Sequence, residues 1–159
     1  MRYAWCDSPA GQLLLTGRKK LESISFPASN HRVDPKDDWQ EDPLFFKPVT
    51  DQLGAYFSGK LTRFNVEMDL IGTEFQKKVW KTLATVSFGT IISYGELAAR
   101  IGNPNASRAV GLANGKNPIP IIIPCHRVIG KDGSLTGFGG GLEVKKMLLE
   151  LEGVRLWLF

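Results

Sequence analysis

The chain has 159 residues, 43% of them hydrophobic, with a formal net charge of +4. This is enough for one compact core or two small lobes sharing one, and no run of about eighteen apolar residues exists to span a membrane. Two cysteines, Cys6 and Cys125, are too few for a disulfide framework, and the opening residues carry an acid at Asp7 and no secretory segment, so free thiols in a reduced, cytoplasmic setting are expected.

In chain order, Gln12–Thr16 and Leu21–Phe26 read as strands around a turn at Gly17–Lys20. Residues 27–43 are polar and rich in Pro, Asp and Asn, which predicts an exposed connector. Phe46–Phe57 spaces Val49, Leu53 and Phe57 by four and predicts a helix that Gly59 stops. Arg63–Leu70 alternates apolar and polar side chains and predicts another strand. From Gly72 the pattern turns helical, with Thr73 as N-cap and Phe75, Val79, Trp80 and Leu83 on one face. Ser93 and Glu96 form a capping-box pattern for a short helix ending near Ile101–Gly102. Asn103–Pro104 breaks it, and a third helix is expected from about Asn105 to Gly115. Two short helices around a tight turn suggest a helix-turn-helix. Asp132–Gly133 is a hairpin signal and a candidate wing. Leu142–Leu151 is a final amphipathic helix closed by Gly153. Charge divides along the same line: residues 1–71 hold 9 Lys/Arg and 10 Asp/Glu, residues 72–159 hold 11 and 6. A basic half joined to a near-neutral one fits polyanion binding, and equally a plain solubility bias.

The stretch Ile121-Ile122-Ile123-Pro124-Cys125-His126-Arg127-Val128 places a soft nucleophile at the lip of an apolar core beside an imidazole. On an extended strand Cys125 and His126 would point to opposite faces. Either Pro124 ends the strand and the pair sits in a turn, or a water bridges them. A buried structural cysteine is the bland alternative. Arg127 and a nearby helix start are expected to favour the thiolate. Glu152, in the last turn of the final helix, opposes the helix dipole, so it is either an exposed acid or one with a partner such as His126. The third helix, Ala106–Ala113, is lean, which means tight packing on a neighbour or a recognition helix projecting Arg108 into a groove. Gly137–Gly141 is a flexible joint or a pocket wall, in which Phe138 could stack on a base. Tyr94, at a helix start, could meet phosphate or a base edge. Cys6, His31, Cys125 and His126 show no zinc-ligand spacing, so no metal site is expected.

In combination these residues resemble the O6-alkylguanine-DNA alkyltransferases. Pro124-Cys125-His126-Arg127-Val128 looks like that family's active-site signature. Phe75-Gln76 with Val79-Trp80, Ser93-Tyr94, Gly102-Asn103-Pro104, Arg108-Ala109-Val110-Gly111, Asn117-Pro118 and Gly140-Gly141-Leu142 follow in family order and spacing. The resemblance is strong over residues 72–153, while the first 71 agree in length and strand-rich character. Phe138 stands where many members carry Tyr, keeping a stacking face without the hydroxyl.

The resemblance implies an α+β protein of two lobes: a small ribonuclease-H-like unit over 1–71 and a winged helix-turn-helix over 72–159 that binds the minor groove of double-stranded DNA. It implies that Cys125 accepts the alkyl group, that His126 acts as base through a water, that Glu152 orients His126, and that Asn117 braces the active-site turn. Tyr94 would turn the nucleotide out, Arg108 would fill the vacated stack, and backbone groups near Cys125, Val128 and Gly139 would read the guanine edge, with Phe138 beside it. Asn103 and Lys131 join the DNA-contacting set. The implied activity is single-turnover repair of O6-alkylguanine, with O4-alkylthymine as a second candidate substrate, by a monomer with no cofactor and no membrane partner. Two other classes stay open: a lesion-binding module, which the cysteine after Pro124 disfavours, and a Cys–His hydrolase, for which adjacent residues make a poor direct dyad.

Overall fold

The computed structural model describes residues 1–155, so the last four residues of the expected second lobe lie outside it. β1 (Arg2–Cys6), β2 (Leu13–Gly17) and β3 (Leu21–Ser25) form an antiparallel meander, and β4 (Gln40–Glu41) joins β1 in parallel, giving the order β3-β2-β1-β4. β2 and β3 lie where the sequence predicts them. β1 is absent from the sequence reading because Tyr3-Ala4-Trp5-Cys6 does not alternate, as befits a strand with a neighbour on each side. The connector also differs: it contributes β4, and α1 (Pro43–Phe57) begins three residues earlier than expected. Asp42 caps that helix by accepting from Phe45 N at 3.1 Å, and Pro43 stands at the first helical position, where its missing N–H is not needed. Phe46, Val49, Leu53 and Tyr56 form its buried stripe.

The strand expected over Arg63–Leu70 does not form. Met68 alone makes a bridge, to Leu21, and the backbone of Asn65 is satisfied by the Gln52 side chain of α1, at 2.8 and 2.9 Å. The alternation reflects burial, since Phe64, Val66, Met68 and Leu70 pack partly buried on the core, but this segment covers the open edge of β3 without laddering on it.

The second half carries α2 (Glu74–Leu83), β5 (Ile92–Ser93), α3 (Tyr94–Arg100), α4 (Ser107–Gly115), β6 (Val128–Ile129) and α5 (Leu142–Leu151). Thr73 and Gln76 close a reciprocal capping box on α2, at 3.1 and 3.0 Å. Gly72 is obligatory for that entry, because a Cβ there would lie 2.6 Å from the Trp80 ring. Ser93 Oγ accepts from Glu96 N at 3.1 Å to start α3. α4 packs on α2 and α3 through Val110, Ala113 and Asn114, while Arg108, Ala109 and Leu112 are exposed on its outer side. Trp80 Nε1 donates to Ala113 O at 2.8 Å and fixes α2 against α4. The Asp132–Gly133 turn exists, closed by Gly130 N to Ser134 O at 2.9 Å. No return strand follows it among the described residues, and β6 pairs in parallel with β5 instead. The Gly-rich run 137–141 offers little side-chain surface with which to hold a ladder.

Candidate active site

The isoleucine run is a turn, not a strand. Ile123 N donates to Ile119 O at 2.9 Å, and Ile121 has a φ of +76°, a left-handed conformation that β-branched residues rarely adopt. Asn117 holds both ends of this turn: its Nδ2 donates to Ile123 O at 2.7 Å and its Oδ1 accepts from Ile119 N at 3.0 Å. Pro124 then leads into a single 3-10 turn over Cys125–Arg127. This answers the geometric question in the sequence, because the turn separates Cys125 and His126 without placing them on opposite faces of a strand.

His126 is fully buried, and its Nε2 lies 2.6 Å from Glu152 Oε2. Glu152 follows α5 directly and is buried too, so it is not the exposed acid of the bland reading. Burial opposes its ionisation, but hydrogen bonds from His126, Arg127 and Tyr56 outweigh that and hold the carboxyl far below the usual range. An ionised carboxylate only accepts, so His126 Nε2 carries the proton. Its Nδ1, buried and without a partner among the described residues, presents a lone pair. Burial keeps this imidazole neutral by lowering its pKa, against the pull of Glu152.

Arg127 does not act on the thiol as expected. Its Nε and Nη2 reach Glu152 at 2.8 and 3.1 Å, and its Nη1 donates to Val86 O at 2.6 Å. Burial pushes the Cys125 thiol up to about 11, with Asn117 and Lys145 pulling against it. Cys125 is therefore held as the neutral thiol, which would need a base before it could attack. Cys125 is 5% exposed, yet it lines a cleft of about 680 Å³ together with Phe26, Trp80, Asn114, Pro120 and Phe138.

The remaining expected residues surround this centre at different distances. Phe138 packs on Phe26, ring centroids 5.4 Å apart, and Gly139 follows it on the cleft wall. Gly140 cannot carry a side chain here, since a Cβ would lie 2.8 Å from Phe26. Tyr94, first residue of α3, shares a 2.8 Å hydrogen bond with Thr136 Oγ1 and does not line the cleft. Val128 is buried, and its carbonyl accepts from Lys145 Nζ at 2.7 Å. Asn103, Arg108 and Lys131 are exposed and away from the sulfur's cleft. Three residues that sequence reasoning missed complete the centre. Gly89 N donates to Glu152 Oε1 at 3.0 Å, Tyr56 Oη donates to Glu152 Oε2 at 2.6 Å, and Lys145, held to about 8 by burial, also donates to Thr136 O at 2.9 Å. A signal existed for two of them: Tyr56 and Lys145 occupy core positions of amphipathic helices, where a polar tip needs a partner. Among the described residues no group of three or more His, Cys, Asp or Glu could hold a metal, and no helix is long and apolar enough to cross a membrane.

The fold and site define a two-lobed α+β protein with a buried thiol at the edge of an interlobe cleft and an imidazole–carboxylate pair beside it in the chain. Residues 1–70 match the model for the 6-O-methylguanine DNA methyltransferase ribonuclease-like domain, and residues 74–154 match that family's DNA binding domain. The chain belongs to the 6-O-methylguanine DNA methyltransferase family. It is 51% identical to the methylated-DNA–protein-cysteine methyltransferase of Mycobacterium bovis, over 98% of this chain and 94% of that one. It is 49% identical to the protein of the same name from Methanosarcina acetivorans, over 96% and 99%. The crystal structure of Mycobacterium tuberculosis OGT in complex with DNA superposes with a TM-score of 0.89 at 52% identity, covering 96% of this chain and 92% of that one.

Proposed function

We propose that this protein repairs DNA by moving an alkyl group from O6 of guanine to Cys125 in a single irreversible step. The observation that carries the reading is the junction of a cleft-lining thiol with a neutral imidazole whose proton is pinned by Glu152, leaving Nδ1 free to accept. The names of the relatives and the DNA in the related crystal structure support the same substrate. A water between His126 Nδ1 and the Cys125 sulfur takes the thiol proton as the sulfur attacks. The S–C bond forms, the C–O6 bond breaks, and the guanine ring takes up one proton from water, which balances the thiol proton passed to His126 and on to solvent. A thioether does not revert, so each molecule acts once and needs no cofactor.

O6 lies inside the duplex, so the nucleotide must be turned out at a cost of a few kcal/mol, less for a poorly paired base. The 72–159 lobe is read as the DNA-binding unit and 1–71 as the ribonuclease-like unit. In this reading the exposed face of α4 enters the minor groove of double-stranded DNA and Arg108 fills the vacated stack. Tyr94 turns the nucleotide, releasing Thr136, and Asn103 and Lys131 steady the backbone. Phe138, Gly139 and the second lone pair of the Val128 carbonyl meet the base. Asn117 holds the nucleophile's turn. The protein works as a monomer in the cytoplasm.

Incubation with duplex DNA bearing O6-methylguanine, followed by intact mass measurement, tests this. One methyl per chain is expected, located on Cys125 and absent from Cys125→Ala. Binding without a mass change, or repeated turnover, overturns it.

A further inference from the structure

Glu152 receives more donors than a carboxylate accommodates. Oε1 accepts from Arg127 Nε at 2.8 Å and Gly89 N at 3.0 Å, while Oε2 accepts from Tyr56 Oη and His126 Nε2 at 2.6 Å each and from Arg127 Nη2 at 3.1 Å. Five donors meet roughly four lone-pair sites. Tyr56 is the side-chain donor among them that comes from the other lobe, on α1. Its ring is fixed in an aromatic nest of Phe57, Phe64 and Phe88 at 5.3, 5.4 and 6.1 Å, so the hydroxyl is aimed rather than mobile. Arg127 sits over the same Phe88 ring at 5.9 Å.

We propose that Tyr56 is a positioning residue for alkyl transfer: by sharing Glu152 Oε2 with His126 it draws charge off that oxygen and sets how strongly the carboxylate holds the imidazole. The groups facing His126 are Glu152 from the end of α5, Lys145 from α5, Arg127 and Cys125 from its own turn, and, through Glu152, Tyr56 from α1. Losing the Tyr56 hydroxyl leaves no charge unpaired, because the Glu152 carboxylate stays paired with Arg127. In Tyr56→Phe the carboxylate charge concentrates on His126 and Arg127. The imidazolium gains, and proton uptake at Nδ1 competes with removal of the thiol proton. The carboxylate keeps four donors, so the variant remains satisfied at that centre.

The test compares wild type with Tyr56→Phe and with 3-fluorotyrosine placed at position 56, a stronger donor of the same shape. Nitrogen-15 NMR follows the His126 ring through a pH titration, and quenched-flow assays follow methyl uptake from O6-methylguanine duplex across the same range. In Tyr56→Phe the His126 midpoint is expected to rise by about half a unit to one unit, and the acid limb of the transfer profile to move with it. Below the midpoint this slows transfer roughly three- to tenfold, and the loss closes at higher pH. The fluorinated tyrosine is expected to move both midpoints down. A hydroxyl that merely filled space would lower thermal stability and leave both midpoints where they were; that result in either variant overturns the proposal. The kinetic arm rests on the alkyl-transfer reading, whereas the imidazole resonances are recorded on the protein alone. A chain that takes up no methyl therefore still tests the role of Tyr56 through its effect on His126.

Discussion

Asn117 and Ile121 oppose each other in energy. A β-branched residue at a φ of +76° costs about 1–3 kcal/mol and persists only where the surroundings over-determine it. Asn117 supplies that constraint, bonding the backbone at residues 119 and 123 on either side of the strained position. Asn117→Ala would leave the buried Ile119 amide without its partner and take one of two donors from the Ile123 carbonyl, which keeps Cys125 N, a loss of about 1–3 kcal/mol. Thermal unfolding should show a midpoint lower by roughly 2–12 °C. The transfer rate should fall further than stability alone accounts for, because the 3-10 turn carrying Cys125 begins two residues beyond the clamp. An unchanged midpoint would mean that Asn117 is not what holds the turn.

At the scale of elements, α2 is the part most directly written in the chain. Thr73 and Gln76 bond reciprocally at its start, and Thr73→Ala removes one half of that box. A loss of about 1 kcal/mol is expected, read as a midpoint lower by about 2–4 °C in thermal unfolding, with the methyl-transfer rate unchanged. A rate loss would place this cap in the working site, against its exposed position. α2, α3, α4 and α5 were legible to within two residues because caps and helical spacing are local signals. The residue 63–70 segment was not, because alternation reports which side chains are buried and is silent on where the backbone hydrogen bonds go. There Gln52, thirteen residues earlier than Asn65, supplies them. The missing wing strand has the same origin: Asp132–Gly133 predicts a turn and says nothing about what pairs after it.

For the whole molecule, Glu152 is the point where the lobes meet chemically. It joins Tyr56 of α1, the turn at Gly89, and His126 and Arg127 of the 3-10 turn to the end of α5. That junction gives stability a definite pH dependence. His126 titrates lower in the folded protein than the 6.5 of a free imidazole, so below that value the unfolded chain takes a proton that the folded one refuses, and stability falls as pH falls. Glu152 is likewise depressed from its ordinary 4.5, so its contribution is present above that value and is lost on further acidification. The two act in the same direction. Chemical denaturation at a series of pH values should show stability level near neutrality, a first decline below about 6.5 and a steeper one below about 4.5. Glu152→Gln should cost about 3–5 kcal/mol at neutral pH by leaving Arg127 buried without its anion, and should flatten the steeper decline. A wild-type protein more stable at pH 5 than at pH 7 would contradict this assignment.

Local signals in the chain were enough to specify most of the helices and their caps, the position of Cys125 and His126 after a proline at the edge of an apolar run, and the family whose residues these resemble. Which partners those residues have was decided by tertiary packing alone. It turned Arg127 away from the thiol toward Glu152, recruited Tyr56 from ninety-six positions earlier in the chain, and left the Cys125 thiol protonated by burying it. Periodicity and capping act over a few residues and so survive in the linear text. Desolvation and hydrogen-bond sharing depend on which distant surfaces close over a group, and no pattern within the segment itself records that.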